Sequence, residues 1–185
     1  MARIPAATRD TVPSGQADAF DELLAGAGSV PLVGPGSIFW HVPKAQQAVT
    51  TLNQYLRNDS SLSNKILELT MLVTARENDC VYVWNAHAAS ARAAGVPHAV
   101  VDGLRARKEL TALAPDESAV INYAQEIYRT HKGSRGAFQS AIEEFGKQGL
   151  IELSLVMGNY ALIAVAVNSF DSELPGNRTE PVLPV

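Results

Sequence analysis

The sequence predicts an all-α fold, and three features of the chain support that class. Apolar residues recur at spacings of three and four in one segment after another, as on the buried face of a helix. No segment alternates apolar and polar residues with the period of two expected of a half-buried strand. Pro, Gly, Asn and Asp separate the periodic segments, which places short turns between successive helices.

Length and composition predict one domain with two flanking segments. The chain has 185 residues, 46% of them hydrophobic, which is enough for a single sizeable core. Residues 1–17 are rich in Ala, Pro, Ser, Thr and Gly without periodicity, so we expect an arm that packs little by itself. The domain is expected to span residues 18–177, with a C-terminal tail over residues 178–185.

The region before residue 60 predicts two helical segments around a loop. Residues 18–28 offer one or two helical turns, and the Pro- and Gly-rich stretch 30–44 favours an ordered loop. Pro43 suits the first turn of the next helix, because the N–H that proline lacks would have no partner there. Apolar residues then recur at helical spacing until the helix ends near Arg57.

Residues 62–97 predict two helices joined by a short polar break, which form an αα-hairpin. Ser61 is a suitable N-cap for the first helix, because its hydroxyl can accept a hydrogen bond from the first turn. Asp79 lies in the break and is expected to cap the second helix. Gly95 is expected to end that helix in the left-handed conformation.

The remaining chain predicts four further helical segments. Residues 98–107 form a short helix and residues 115–132 a longer amphipathic one. Residues 134–149 are expected to form a helix that buries Phe138, Ala141, Ile142 and Phe145. Residues 150–170 are expected to form an apolar helix in the core. The apolar helix is interrupted by Glu152, Asn159 and Asn168. It is therefore not expected to be a membrane span, which needs a longer uninterrupted apolar run.

Charge and cysteine content exclude several classes of partner. The net charge is −4, the pI is near 5.5 and Lys and Arg do not cluster, so we expect neither nucleic acid nor a membrane as partner. The single cysteine cannot form an intramolecular disulfide, and the N-terminus lacks the apolar run of a secretory signal. We therefore expect a cytoplasmic protein whose partners are a small molecule and further copies of itself.

The predicted hairpin gathers the side chains that are capable of chemistry. Cys80, Val83, Trp84 and His87 are spaced to share one helical face. Helices joined by a short break lie antiparallel, so Glu68 in the first helix is expected to approach His87 in the second. Each residue alone is more often structural than reactive, and it is the combination of carboxylate and imidazole that predicts an acid–base pair.

The hairpin pattern resembles the carboxymuconolactone decarboxylase family, which also contains the AhpD-like alkylhydroperoxidases. The resemblance extends over roughly residues 30–177, with support from residues 34–43 and 168–176. The residues that carry it are a Glu, a later Tyr-x-Trp-x-x-His run and a Gly-Val pair: Glu68, Tyr82, Trp84, His87, Gly95 and Val96.

The resemblance implies a helical fold around the αα-hairpin, a homo-oligomer (trimer or hexamer), and no metal or organic cofactor. The peroxidase branch of the family needs Cys-x-x-Cys, in which one thiolate attacks the peroxide and the other resolves the product. Cys80 matches the first cysteine, but Val83 stands where the second is required, so the dithiol cycle cannot close. We therefore assign the chain to the decarboxylase-like branch.

That branch implies a decarboxylase or related lyase acting on a small carboxylated lactone from aromatic catabolism. Glu68 and His87 are the expected catalytic residues, and the substrate is expected to contact Trp84, Tyr82, Cys80 and Val83. The decarboxylases commonly carry a Glu where this chain has Val83, which suggests a different or less acidic substrate. Two alternatives stay open: a peroxide-reducing protein that uses Cys80 with an external thiol, and a non-catalytic oligomer that binds a small molecule.

Overall fold

The computed structural model describes residues 3–176 and 178–185, and within them every regular element is helical. The described ranges contain no strand, so the predicted all-α class is confirmed. The α-helices, in chain order, are α1 (Ala17–Ala27), α2 (Gly36–Phe39), α3 (Pro43–Asn58), α4 (Asn64–Glu77), α5 (Val81–Ala93), α6 (His98–Arg105), α7 (Pro115–Thr130) and α8 (Arg135–Ser169).

The centre of the fold is α4, the first helix of the predicted hairpin. It packs against α5, α7 and α8, and all its residues from Ile66 to Arg76 are buried. A helix surrounded in this way buries its polar side chains as well as its apolar ones. Each polar group on α4 therefore needs a partner inside the protein, because burial without a hydrogen bond is costly.

The N-cap of α4 is Ser63 rather than the predicted Ser61. The Ser63 side chain accepts a hydrogen bond from the Ile66 amide. Ser61 has a different role, because its amide and hydroxyl both donate to the Glu152 carboxylate at 2.8 and 2.5 Å. The long-range contact to α8 holds Ser61 outside the helix, and α4 begins two residues later than a start capped by Ser61 would give.

The predicted capping role of Asp79 is wrong as well. The N-cap of α5 is Cys80, which makes no side-chain capping bond, and Asp79 has a left-handed φ of 47°. Its carboxylate instead contacts the guanidinium groups of Arg76 and Arg107. Gly95 does take the predicted left-handed conformation, with φ of 95°, and ends the hairpin.

The two helices predicted for residues 134–170 form one element, α8, with a break at Gly146. The glycine has φ 67° and ψ 179°, a conformation that side chains disfavour. The predicted burial of Phe138 is wrong, because that side chain is 46% exposed. Ala141, about one turn further along the helix, is buried. By length and composition α8 could cross a membrane, but 61% of its most apolar window is buried in the protein. It is a core helix of the bundle.

The segments outside the predicted domain both contribute to packing. Ala7 and Val12 are buried against Phe20 and Trp40, so the N-terminal arm packs more closely than expected. The C-terminal tail is extended, as predicted, and buries Leu183. The predicted boundary at residue 177 lies outside the described residues.

Candidate active site

Glu68 and His87 form the acid–base pair that the hairpin pattern predicts. His87 Nδ1 lies 2.8 Å from Glu68 Oε2. The side chain of Glu68 is 2% exposed and that of His87 is 12% exposed. Because Nδ1 is engaged by the carboxylate, Nε2 is the ring nitrogen left for a reactant. The pair therefore combines a buried carboxylate with an imidazole that borders the surface.

Two residues that the sequence did not indicate complete this cluster. Arg57 on α3 directs Nη2 towards Glu68 Oε1 at 3.5 Å and donates from Nη1 to the Tyr160 hydroxyl at 3.2 Å. The Tyr160 ring meets the His87 ring edge to face. The four side chains come from α3, α4, α5 and α8, so the cluster lies where these helices converge.

Burial sets the ionisation state of Tyr160. Removal from water raises its pKa above the ordinary value; the nearby Arg57 guanidinium opposes that shift and the Glu68 carboxylate adds to it. The hydroxyl therefore stays protonated at neutral pH. Since it accepts a hydrogen bond from Arg57, its own proton remains available to donate.

The predicted substrate contacts Trp84 and Tyr82 lie on α5 with His87. Trp84 is fully buried, and its indole Nε1 has no hydrogen-bond partner among the described residues. The Tyr82 hydroxyl packs against Gly34, where any side chain would collide with it. Burial raises the pKa of Tyr82 and keeps it protonated. No hydrogen bond within the described ranges joins either residue to the acid–base pair, so their contact with a substrate stays a prediction.

Cys80 and Val83 are both buried in the core. Cys80 is a free thiol with no exposed surface, and Val83 is 2% exposed. Burial raises the pKa of the Cys80 thiol, although backbone hydrogen bonds from the first turn of α5 oppose that effect. Nucleophilic cysteines are accessible and have lowered pKa values, so Cys80 has the environment of a structural residue.

Within the described part of the chain, no metal-ligand cluster coincides with the acid–base pair, and five cavities lie away from it. Over residues 3–176 and 178–185, no three His, Cys, Asp or Glu side chains converge as they would around a metal ion. Five surface cavities of about 50 to 550 Å³ are lined by other residues than Glu68 and His87. Arg57, whose side chain is 40% exposed, connects the buried Glu68 with the surface.

Comparison with known proteins shows which family part of the chain resembles. The sequence profile described as the carboxymuconolactone decarboxylase family matches residues 43–126. Through this segment, the chain is similar to the carboxymuconolactone decarboxylase family. The match runs from α3 into α7 and includes Arg57, Glu68 and His87, whereas Tyr160 lies outside it. The family resemblance predicted from the hairpin motif is thus confirmed. A search of curated proteins gave no match.

Solved structures share the AhpD-like fold of this family. An uncharacterised peroxidase-related protein with an alkylhydroperoxidase AhpD core from Ralstonia eutropha has a TM-score of 0.68 and 18% identity, covering 95% of this chain and 93% of its own. A peroxidase-related protein from Silicibacter has a TM-score of 0.68 and 16% identity, with coverages of 96% and 93%. A protein of unknown function from Agrobacterium tumefaciens has a TM-score of 0.67 and 17% identity, covering 74% of this chain and 94% of its own. At these identities the likeness establishes the fold alone.

Proposed function

We propose that this protein is a cofactor-free decarboxylase or related lyase that acts on a small carboxylated lactone, such as 4-carboxymuconolactone. The observation that carries the proposal is the 2.8 Å contact between His87 and the buried carboxylate of Glu68. The similarity of residues 43–126 to the carboxymuconolactone decarboxylase family supports the same chemistry. A cytoplasmic location accords with this small helical protein.

The reaction makes two demands that the cluster can meet. As the bond between the ring carbon and the carboxylate breaks, CO2 leaves and the bonding electron pair moves into the unsaturated lactone. Negative charge then develops on the carbonyl oxygen of the lactone, where the hydroxyl of Tyr160 can donate a hydrogen bond. A proton must finally be added to carbon, and His87 Nε2 is the donor we assign to that step.

Glu68 acts through His87 in this scheme. Its buried carboxylate fixes the ring orientation and stabilises the imidazolium that carries the proton. After the proton has passed to the substrate carbon, the neutral imidazole takes a new one from water. The cycle therefore balances without an external oxidant or reductant.

The peroxidase alternative is less well supported. It requires a reactive Cys80 thiolate and an external thiol to reduce the oxidised product, yet Cys80 is buried and its pKa is raised. The third reading, a non-catalytic oligomer that binds a small molecule, predicts binding without turnover. The close contact between Glu68 and His87 favours the enzymatic reading over it.

We further propose that the chain forms a homo-oligomer, a trimer or a hexamer, through an apolar stripe on α8. The stripe consists of residues at alternating spacings of four and three, which is the pattern of a helix that packs on another helix. Its large members are 42 to 63% exposed, and Gly158 leaves open space in the middle. A second copy of the same helix would cover it. The stripe comprises Ile151, Leu155, Gly158, Leu162 and Val165.

Release of CO2 from 4-carboxymuconolactone tests the activity directly. Replacing His87 by Ala, or Glu68 by Gln, is expected to lower the rate about a hundredfold or more. Replacing Cys80 by Ala is the matched control and should leave the rate unchanged. Peroxide reduction that depends on Cys80, or an unaltered decarboxylation rate in H87A, would contradict the assignment.

A further inference from the structure

The face of α3 that packs on the bundle mixes polar side chains with the fully buried Leu56. Gln46, Thr50 and Asn53 are partly buried on this face, whereas Leu52 and Tyr55 are 37% and 41% exposed. A helix on the surface of a globular protein normally turns its apolar face inward. Burying polar groups beside Leu56 is costly unless they are hydrogen-bonded, so each of them needs a partner.

This face of α3 meets α8 next to the acid–base pair. The side-chain amide of Asn159 donates to Asn53 Oδ1 at 3.2 Å, and the next residue on α8 is Tyr160. Asn159 is 4% exposed, and its Oδ1 is buried without a hydrogen-bond partner among the described residues. Buried acceptors are normally bonded by protein, water or ligand. A polar ligand or an ordered water beside Tyr160 would satisfy this one.

Arg57 is the cation at this position, and most of its hydrogen-bonding capacity is unused. A guanidinium has five N–H donors. Here one bonds Tyr160 and another faces Glu68 at 3.5 Å. The contact with Glu68 is long, and the Arg57 side chain is 40% exposed, so this ion pair contributes little by itself. The exposed edge of the guanidinium can meet an incoming carboxylate in two parallel hydrogen bonds.

We propose that Arg57 binds a carboxylate of the substrate that the reaction leaves in place. This inference rests on the proposed decarboxylation. A salt bridge to the departing carboxylate would stabilise the ground state and would be lost as CO2 forms, which would slow the reaction. A retained carboxylate keeps its charge throughout, so binding it orients the lactone at His87 without raising the barrier.

The position of Arg57 also revises an expectation from the sequence. Val83, at the place of an acidic residue common in the family, suggested a less acidic substrate. Arg57 comes from α3 and supplies a cation at the acid–base pair independently of that position. The site therefore favours an anionic substrate even though Val83 is uncharged.

A binding experiment can test the anchor without turnover. The probe is the γ-acetic acid derivative of γ-butyrolactone, a saturated lactone with one carboxylate that cannot lose CO2 by this route. Its methyl ester is the matched neutral compound. Calorimetric titration of the folded protein should show the acid binding about tenfold or more tightly than the ester. The R57Q variant should lose that preference, R57K should retain part of it, and R135Q, which removes an exposed arginine elsewhere, should retain all of it.

Kinetics on 4-carboxymuconolactone provide a second readout. An anchor that holds substrate and transition state alike predicts a raised KM in R57Q with kcat little changed. An equal acid preference in R57Q and the unaltered protein, or no binding of the acid at millimolar concentration, overturns the proposal. An Arg57-dependent acid preference in a protein that releases no CO2 would retain the anchor and reject the decarboxylase. CO2 release with an unaltered KM in R57Q would retain the decarboxylase and reject the anchor.

Discussion

The ring of Tyr160 meets the ring of His87 edge to face, with centroids 5.1 Å apart and planes at 84°. The contact links α8 to the α4–α5 hairpin across a large separation in sequence. It also places the Tyr160 hydroxyl, which accepts from Arg57, beside the imidazole. One residue thus both packs against the proposed proton donor and holds the proposed anchor.

Replacing Tyr160 by Phe separates these two roles. The phenyl ring keeps the edge-to-face packing, so the free energy of unfolding should fall by only about 1 kcal/mol. The hydroxyl is lost as a donor to the lactone oxygen, and kcat for CO2 release should fall about tenfold or more. Initial rates and urea unfolding measure the two effects. The control is Y123F, whose hydroxyl contacts Ser154 away from the site; equal rates in the two variants would remove Tyr160 from the mechanism.

Glu152 predicts a pH-dependent contribution to stability. Although burial opposes its ionisation, hydrogen bonds from Ser61, Gln148 and Tyr55 lower the pKa of Glu152 to about 2 from 4.5. Because the folded pKa lies below the unfolded one, the stabilisation is complete above about pH 4.5 and is lost as the pH falls towards 2.

The E152Q variant should therefore unfold about 2 kcal/mol more readily than the unaltered protein at pH 7. Part of that difference should disappear at about pH 3, where the carboxylate loses its advantage over the unfolded chain. Urea titrations at the two pH values measure it. The exposed E144Q is the control, with an expected change within about 0.5 kcal/mol. A pH-independent difference for E152Q would mean that shape rather than charge sets its contribution.

Cys80 should be unreactive in the folded protein. The thiol is buried and its pKa is raised, so both access and thiolate fraction are low. Titration with a chromogenic disulfide at neutral pH should show one thiol that reacts only after unfolding in denaturant. Rapid reaction of the native protein, or rapid sulfenic acid formation with peroxide, would restore the peroxidase alternative.

The apolar stripe on α8 predicts the effect of charge on assembly. Replacing Leu162 by Glu puts a carboxylate in the centre of a face that, in an oligomer, is desolvated. We expect the variant to dissociate into monomers that keep their helical circular dichroism. The matched control is L32E, because Leu32 is 74% exposed and lies outside the stripe. Sedimentation velocity measures the outcome; an L162E protein with unchanged mass would show that the oligomer forms elsewhere or is absent.

Local patterns were sufficient for the helices and for the first two site residues. The short break at residues 78–80 forces α4 and α5 to run antiparallel, which brings Glu68 to His87 across 19 residues of sequence. Capping was predicted less well, because Ser61 and Asp79 have side chains that suit a cap but are held by partners on other elements. Phe138 was misplaced for a similar reason, since helical spacing cannot show which face a neighbouring helix covers.

The sequence by itself determined the helical class, the hairpin, the family resemblance and the Glu68–His87 pair, because each depends on residues close along the chain. Only the tertiary structure brought in Arg57 and Tyr160, which lie 103 residues apart and meet through the packing of α3 on α8. It also decided that Cys80 is shielded and that α3 turns polar groups inward. These properties depend on which surfaces the bundle covers, and a periodicity within one helix carries no information about its neighbours.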